Sequence, residues 1–199
     1  MNYDENYFKS LNYTDYLSRR DRYLKLASEL HEMLDKLRLV SKKDTILDYG
    51  CAVGFLMEGF RELGYKNVYG YDISDWAVAQ AKNKGLNILN KVKKRAFDVI
   101  ICLDVLEHMS DHEIHRVFAQ YRSDIMIVRI PCSTDGKQFV LEVSNRDQTH
   151  INRKTKGDWT RLINDLGYGT VLPLNLLTIY DTPGVMCALC LKPGSQFLQ

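Results

Sequence analysis

Thr45-Ile46-Leu47-Asp48-Tyr49-Gly50-Cys51-Ala52-Val53-Gly54 is followed by a helical pattern and then by Val68-Tyr69-Gly70-Tyr71-Asp72. The run reads as a strand, a nucleotide-binding turn, a helix and a second strand that ends in an acid. Ile46 and Leu47 bring the chain to the carboxyl edge of a parallel sheet. There Gly50, Ala52 and Gly54 let the backbone turn tightly against a ligand that larger side chains would obstruct. Asp72 closes the second strand where a carboxylate can accept hydrogen bonds from both hydroxyls of a ribose. An adenosine-containing cofactor is the economical reading.

The spacing and charge of the turn narrow that cofactor further. A dinucleotide site wants G-x-G-x-x-G, with a pyrophosphate on the helix N-terminus. Here the pattern is D-x-G-x-A-x-G, and Asp48 would repel a pyrophosphate while tolerating a sulfonium and an α-amino group. The motif resembles that of the class I S-adenosylmethionine-dependent methyltransferases, with Ala52 in place of the middle glycine. The resemblance covers roughly residues 40 to 190. It implies an α/β fold: a Rossmann-like, doubly wound, seven-stranded and mostly parallel sheet with helices on both faces. It also implies that Asp48, Gly50 and Cys51 form the methionine-side turn, that Asp72 and Ile73 hold ribose and adenine, and that Leu103 offers backbone to the cofactor amino group. Asn90 is the candidate to meet the adenine amino group, although turn formation also explains an asparagine there. S-adenosylhomocysteine would be the product.

At 199 residues the chain is long enough for one domain with a real core, with residues 1–40 expected as a lid segment plus a packed helix and residues 41–199 as the methyltransferase domain. A formal charge of +2 gives no strong field for nucleic acid, so a small-molecule acceptor is expected rather than a polyanion. Met1-Asn2-Tyr3-Asp4-Glu5 lacks a basic, apolar signal segment, and no apolar run reaches the ~20 residues that span a bilayer, so a cytoplasmic protein is expected. Five scattered cysteines do not form a disulfide framework. Cys187 and Cys190 make a C-x-x-C, but on a strand residues three apart face opposite ways, which favours core packing over metal binding. Cys51 reads as a small residue that fits the turn.

Along the chain, apolar residues at helical spacing predict a helix between Tyr16 and Leu39, and the aromatics Tyr3, Tyr7, Phe8, Tyr13 and Tyr16 at its start are a candidate lid or simply pack on a helix. Ser74 or Asp75 caps a helix that Gly85 ends, and a short strand covers 86–89. Phe97 to Cys102 is a strand buried on both faces, Asp111 caps a helix to Tyr121, and Ile125 to Ile130 is a strand stopped by Pro131. Residues 133–156 read as a long polar connection at the ligand edge, followed by a helix over 158–166 and strands near 170–174 and 185–191.

Methyl transfer from a sulfonium is an in-line displacement, so the enzyme mainly aligns the acceptor and handles its proton. Asp104, Glu107 and His108 follow the strand 97–102, and His150 lies in the 133–156 connection. A D/E-x-x-E-H form occurs in two family branches with hydroxyl acceptors: the ubiquinone-pathway O-methyltransferases and the small-RNA terminal 2′-O-methyltransferases. In the second branch two acids and two histidines hold a divalent metal. Here Asp104 stands where a glutamate is usual, one methylene shorter, and no metal ligand set is assigned. Arg146 to Asn152, with Trp159 after it, resembles a segment of small O- and sugar methyltransferases whose histidine faces the acceptor. A histidine near its ordinary pKa of ~6.5 suits a hydroxyl proton. The expected function is therefore methyl transfer to a hydroxyl oxygen of a sugar or other small metabolite. His150 would orient or deprotonate the acceptor, assisted by His108 and Glu107. His31, His112 and His115 read as surface residues. Metal-assisted RNA 2′-O-methylation and a non-catalytic binding module are the alternatives.

Overall fold

The alternating signals become a doubly wound layer in the computed structural model, which describes residues 3–9, 16–89 and 94–195. A short helix α1 (Glu5–Phe8) and a 3₁₀ turn (Tyr16–Arg19) lead into α2 (Arg20–Lys36). There follow β1 (Ile46–Tyr49), α3 (Phe55–Glu62), β2 (Val68–Tyr71), α4 (Asp75–Asn83) and β3 (Asn87–Ile88). Next come β4 (Arg95–Ala96), β5 (Val99–Leu103), a 3₁₀ turn at Leu106–His108, α5 (Asp111–Gln120), β6 (Tyr121–Arg122) and β7 (Ile125–Pro131). The chain continues through α6 (Glu142–Arg146), α7 (Lys156–Asp165), β8 (Thr170–Pro173) and β9 (Val185–Leu191).

The main sheet has seven strands in the order β3-β2-β1-β5-β7-β9-β8, parallel from β3 to β7 and antiparallel at β9 on both sides. This is the fold class expected from the motif. The chain leaves β1 toward one edge and returns to β5 on the other side of β1. Such a switch point opens a crevice at the carboxyl ends of the two strands, where open α/β sheets bind ligands.

Alternate strand residues feed two cores. Ile46, Cys187 and Leu189 join Leu26, Leu30 and Leu34 of α2 on one face. Leu47, Ala188 and Cys190 join Phe118 of α5 and Trp159 of α7 on the other. Cys187 and Cys190 thus pack on opposite faces as the strand period requires, and all five cysteines are free. Helix α2 lies close on α3 because Gly59 has no side chain: a Cβ there would stand 2.5 Å from Ala27 Cβ. Each fully buried leucine of α2 contributes roughly 1.5–3 kcal/mol, which fastens the N-terminal helix to the domain.

Several local expectations need correction. Ser110, not Asp111, caps α5: its hydroxyl accepts from the Glu113 amide while Glu113 accepts from the Ser110 amide, and Asp111 sits in the first turn where the helix dipole favours an acid. Helix α7 starts two residues earlier than 158 because Thr155 and Asp158 form the same reciprocal cap. The connection 133–156 contains a helical turn, α6. The short pair β4–β6 was not foreseen; Arg95 holds it against the sheet by lying 3.8 Å from the Tyr69 ring centroid. His31 is half-buried and its Nδ1 meets the Tyr65 hydroxyl at 3.0 Å, so it is not a free surface residue. Among the described residues no helix is long and apolar enough to cross a membrane.

Candidate active site

At the end of β1 the backbone folds back over β2, with the Gly50 and Cys51 amides both donating to the Tyr71 carbonyl at 2.7 and 3.0 Å. Gly50 has φ +84°, and a Cβ there would lie 2.1 Å from Val105 Cγ2, so only glycine fits between the turn and the chain leaving β5. Ala52 also adopts a left-handed φ of 47°, at a cost of about 1–2 kcal/mol for an L-residue. Its amide is repaid by a 2.7 Å bond to Asp72 Oδ2, while Asp72 Oδ1 accepts from the Ser74 amide at 2.8 Å. The carboxylate is thereby fixed in orientation, and each oxygen keeps a further acceptor site for a ribose hydroxyl.

A cavity of about 500 Å³ opens over this turn, lined by Asp48, Gly50, Cys51, Asp72, Ile73 and Leu103. Six of the seven predicted cofactor contacts are thus brought together; Asn90, like Tyr13, lies outside the described residues. Ile73 is 71% exposed, at the rim. Asp48 is buried, and burial together with Asp72 pushes its carboxyl up to about 8. At neutral pH it is mostly protonated unless a cation lies beside it, as the ammonium of a zwitterionic methionine end can. Arg19, which the sequence reading missed, also lines the cavity and pairs with no described residue. It can meet the carboxylate of the same zwitterion. Only its position after the aromatic segment could have signalled it.

The N-terminal aromatics close one side. Tyr3, Tyr7, Phe8 and Tyr16 line the cavity. Phe8 packs on Trp76 with ring centroids 5.2 Å apart, and Tyr16 stacks on Phe55 at 5.9 Å. The Tyr3 carbonyl accepts from the Ser74 hydroxyl, tying the segment to the loop that holds Asp72.

Opposite the turn, the 3₁₀ segment after β5 carries Glu107 and His108. The Glu107 carbonyl accepts from the Ile151 and Asn152 amides, both at 2.9 Å, which brings His150 alongside. His108 is on the cavity wall, whereas Glu107 and His150 lie buried behind it. The two imidazole centroids are 4.5 Å apart. Glu107 Oε1 stands 4.0 Å from His108 Nε2 and 3.8 Å from His150 Nε2. Neither Glu107 carboxylate oxygen has a hydrogen-bond partner among the described residues. One ligand atom from each of the three lies within 4.8 Å of the others. Asp104 is not one of this group and pairs instead with the Arg129 guanidinium.

Burial, with Asp104 nearby, holds the Glu107 carboxyl well above the usual carboxylate range. Burial and then His150 push His108 down to about 4, rather than leaving it near its ordinary value. His150 is lowered as well, chiefly by burial. Both imidazoles are therefore neutral at pH 7, and nucleophilic or acid-base chemistry here starts from neutral rings.

Comparison with known proteins agrees with the geometry. The family described as Methyltransferase domain matches residues 16–172. A ribosomal protein L11 methyltransferase of Enterococcus faecalis (strain ATCC 700802 / V583) is 36% identical over 138 residues, which are 60% of this chain; the chain spans 42% of that relative's length. Among solved structures, an S-adenosylmethionine-dependent methyltransferase from Clostridium acetobutylicum ATCC 824 is similar with a TM-score of 0.66 and 16% identity, covering 95% of this chain and 97% of that one. The magnesium protoporphyrin IX methyltransferase of Synechocystis PCC 6803, solved with S-adenosylmethionine bound, is similar with a TM-score of 0.59 and 18% identity, covering 94% of each chain. With its switch-point cavity, its glycine turn and a family match over most of its length, this chain belongs to the methyltransferase-domain family of S-adenosylmethionine-dependent enzymes.

Proposed function

We propose that this chain transfers the S-adenosylmethionine methyl group to a hydroxyl oxygen of a small molecule, a sugar or another hydroxylated metabolite. The observation that carries the reading is His108 on the cavity wall, backed by the buried Glu107 and His150. The acceptor oxygen attacks the methyl carbon in line as the carbon–sulfur bond breaks, and sulfur keeps the electron pair as a neutral thioether. A histidine pushed down to about 4 is too weak a base to ionise an alcohol beforehand. As the oxygen–carbon bond forms, however, the oxygen becomes a strongly acidic oxonium, and its proton passes to His108 Nε2. Asp48 and Arg19 hold the methionine end, and the N-terminal aromatics exclude water from the reacting atoms. The net charge of +2 and the aromatic enclosure favour a small acceptor over a polyanion.

A second reading has its own observation, the unpartnered Glu107 carboxylate facing two imidazole nitrogens. Two imidazoles and a carboxylate suit a first-row divalent cation. Glu107, His108 and His150 would hold it, and the chemistry it supplies is to make a bound hydroxyl more acidic. An RNA 2′-hydroxyl is the acceptor that fits this alternative.

The test is transfer of labelled methyl from S-adenosylmethionine to panels of small hydroxyl compounds, matched amines, RNA and ribosomal protein. Wild type is compared with His108→Ala, each with and without chelator. Turnover of small hydroxyl compounds, insensitive to chelator and lost in the variant, supports the first reading. Chelator-sensitive RNA methylation supports the second. Transfer only to amines or to protein, of the kind named for the Enterococcus relative, rejects both.

A further inference from the structure

Thr149 and Asp147 play no part in the mechanism above, yet they decide which nitrogen of His108 carries its proton. The Thr149 hydroxyl lies 2.5 Å from Asp147 Oδ1 and 2.8 Å from His108 Nδ1. Asp147 is 5% exposed. Its Oδ1 accepts from the Thr149 amide at 2.9 Å as well as from the Thr149 hydroxyl, and its Oδ2 accepts from the Tyr7 hydroxyl. Both of its oxygens are thus acceptors in this network. The single Thr149 hydroxyl proton goes to Asp147, so the Thr149 oxygen accepts at its short contact with His108 Nδ1; the Tyr3 hydroxyl lies farther from the same nitrogen, at 3.5 Å. His108 Nδ1 therefore has to be N–H. The Nε2 lone pair is then left free, with Glu107 Oε1 4.0 Å away.

The third participant comes from far away in the chain. Tyr7 donates its hydroxyl to Asp147 Oδ2 at 3.1 Å across 140 residues of sequence. Its neighbour Tyr3 packs edge-on to His108, with ring centroids 6.0 Å apart. The segment that walls the cavity is thus fastened to the same carboxylate that sets the histidine.

We propose that Thr149 and Asp147 are positioning residues that hold neutral His108 in its Nδ1–H tautomer, and that Tyr7 engages the pair so that residues 3–8 complete the acceptor half of the site. The proposal rests on the hydroxyl-methylation reading for its catalytic consequence but not for its geometry. Nε2 is the atom that reading needs free, to take the proton of the methylated oxygen. The opposite tautomer would present an N–H to the acceptor and could take nothing. A hydroxyl in this outer position also tunes the charged state, because the imidazolium formed after transfer is linked through Thr149 to the negative Asp147.

The experiment uses the full chain bound to S-adenosylhomocysteine, with ¹⁵N side-chain spectra of the histidine rings assigned through His108→Gln and His150→Gln. Wild-type His108 should show a protonated Nδ1 and a bare Nε2. Thr149→Ser should keep that signature, and Thr149→Val should lose it. With an accepted hydroxyl substrate, Thr149→Val should lower kcat about 10–100-fold while cofactor affinity stays within twofold, and Thr149→Ser should restore most of the rate. Tyr7→Phe should raise the acceptor KM more than it lowers kcat. A wild-type spectrum with the proton on Nε2 overturns the proposal without any variant. So does a folded Thr149→Val protein with unchanged tautomer and rate. A protonated Nδ1 in a protein that methylates no hydroxyl compound would remove the functional reading and leave the tautomer lock standing.

Discussion

The two halves of the cavity are built on opposite principles. The cofactor half is local and its ribose-side acid is satisfied: Asp48 to Ala52 form one turn, and Asp72, just after β2, has both oxygens bonded to backbone amides. The acceptor half is assembled from three distant segments, and its central carboxylate, Glu107, is buried with no hydrogen-bond partner among the described residues. A satisfied turn is rigid and tolerates little change. An unsatisfied buried carboxylate costs stability, and that cost is the mark of a group kept for what it does rather than for what it holds together.

The contrast can be broken most severely at Gly50. Gly50→Val forces a side chain onto Val105 in left-handed backbone and should cost about 2–5 kcal/mol, read as a lower urea midpoint, with loss of cofactor binding. A next-largest effect of opposite sign is expected at Glu107. Because its folded pKa is raised, the stability it contributes is present at low pH and lost as pH rises through that value. Glu107→Leu should therefore stabilise the protein by about 1–3 kcal/mol at pH 8, gain less at pH 5, and abolish methyl transfer. Parallel urea melts at the two pH values would show it, and a destabilised variant at pH 8 would mean that the carboxylate is satisfied.

Asp48 gives a smaller, binding-linked effect. Its folded carboxyl sits at about 8, so its contribution to cofactor-free stability fades as pH climbs from its unfolded value through 8. An ammonium group beside it needs the ionised form. S-adenosylmethionine binding should tighten several-fold from pH 6 to 7.5 with proton release, measurable by calorimetry in buffers of different ionisation heat. The mildest prediction concerns Arg19, which is partly solvent-exposed. Arg19→Gln should weaken cofactor binding by about 1 kcal/mol, since solvent screens an exposed pair.

The same contrast explains what the sequence could say. The glycine turn and Asp72 sit within one strand–helix–strand unit, so a short motif was enough to carry the family resemblance that implied cofactor class and fold. The C-x-x-C on β9 was legible because a strand period of two decides where each thiol points. Helix caps were less so, since Ser110 and Asp111 are both able to cap and only geometry chooses between them. Tyr7 was legible as part of a lid and Asp147 and Thr149 as part of the segment around His150, but not their meeting, because a contact across 140 residues has no spacing to read. The lowered pKa of His108 was equally hidden, being set by burial and by a second histidine that the fold delivers.

The central claim is that one satisfied carboxylate at the end of β2 holds the cofactor that the rest of the site uses. Calorimetric titration of wild type and Asp72→Ala with S-adenosylmethionine and S-adenosylhomocysteine tests it most directly. The account predicts binding of both ligands to wild type and a loss of roughly 1–3 kcal/mol in the variant, the scale of a charge-assisted hydrogen bond. Equal affinity in the two proteins, or no binding to folded wild type, would contradict it.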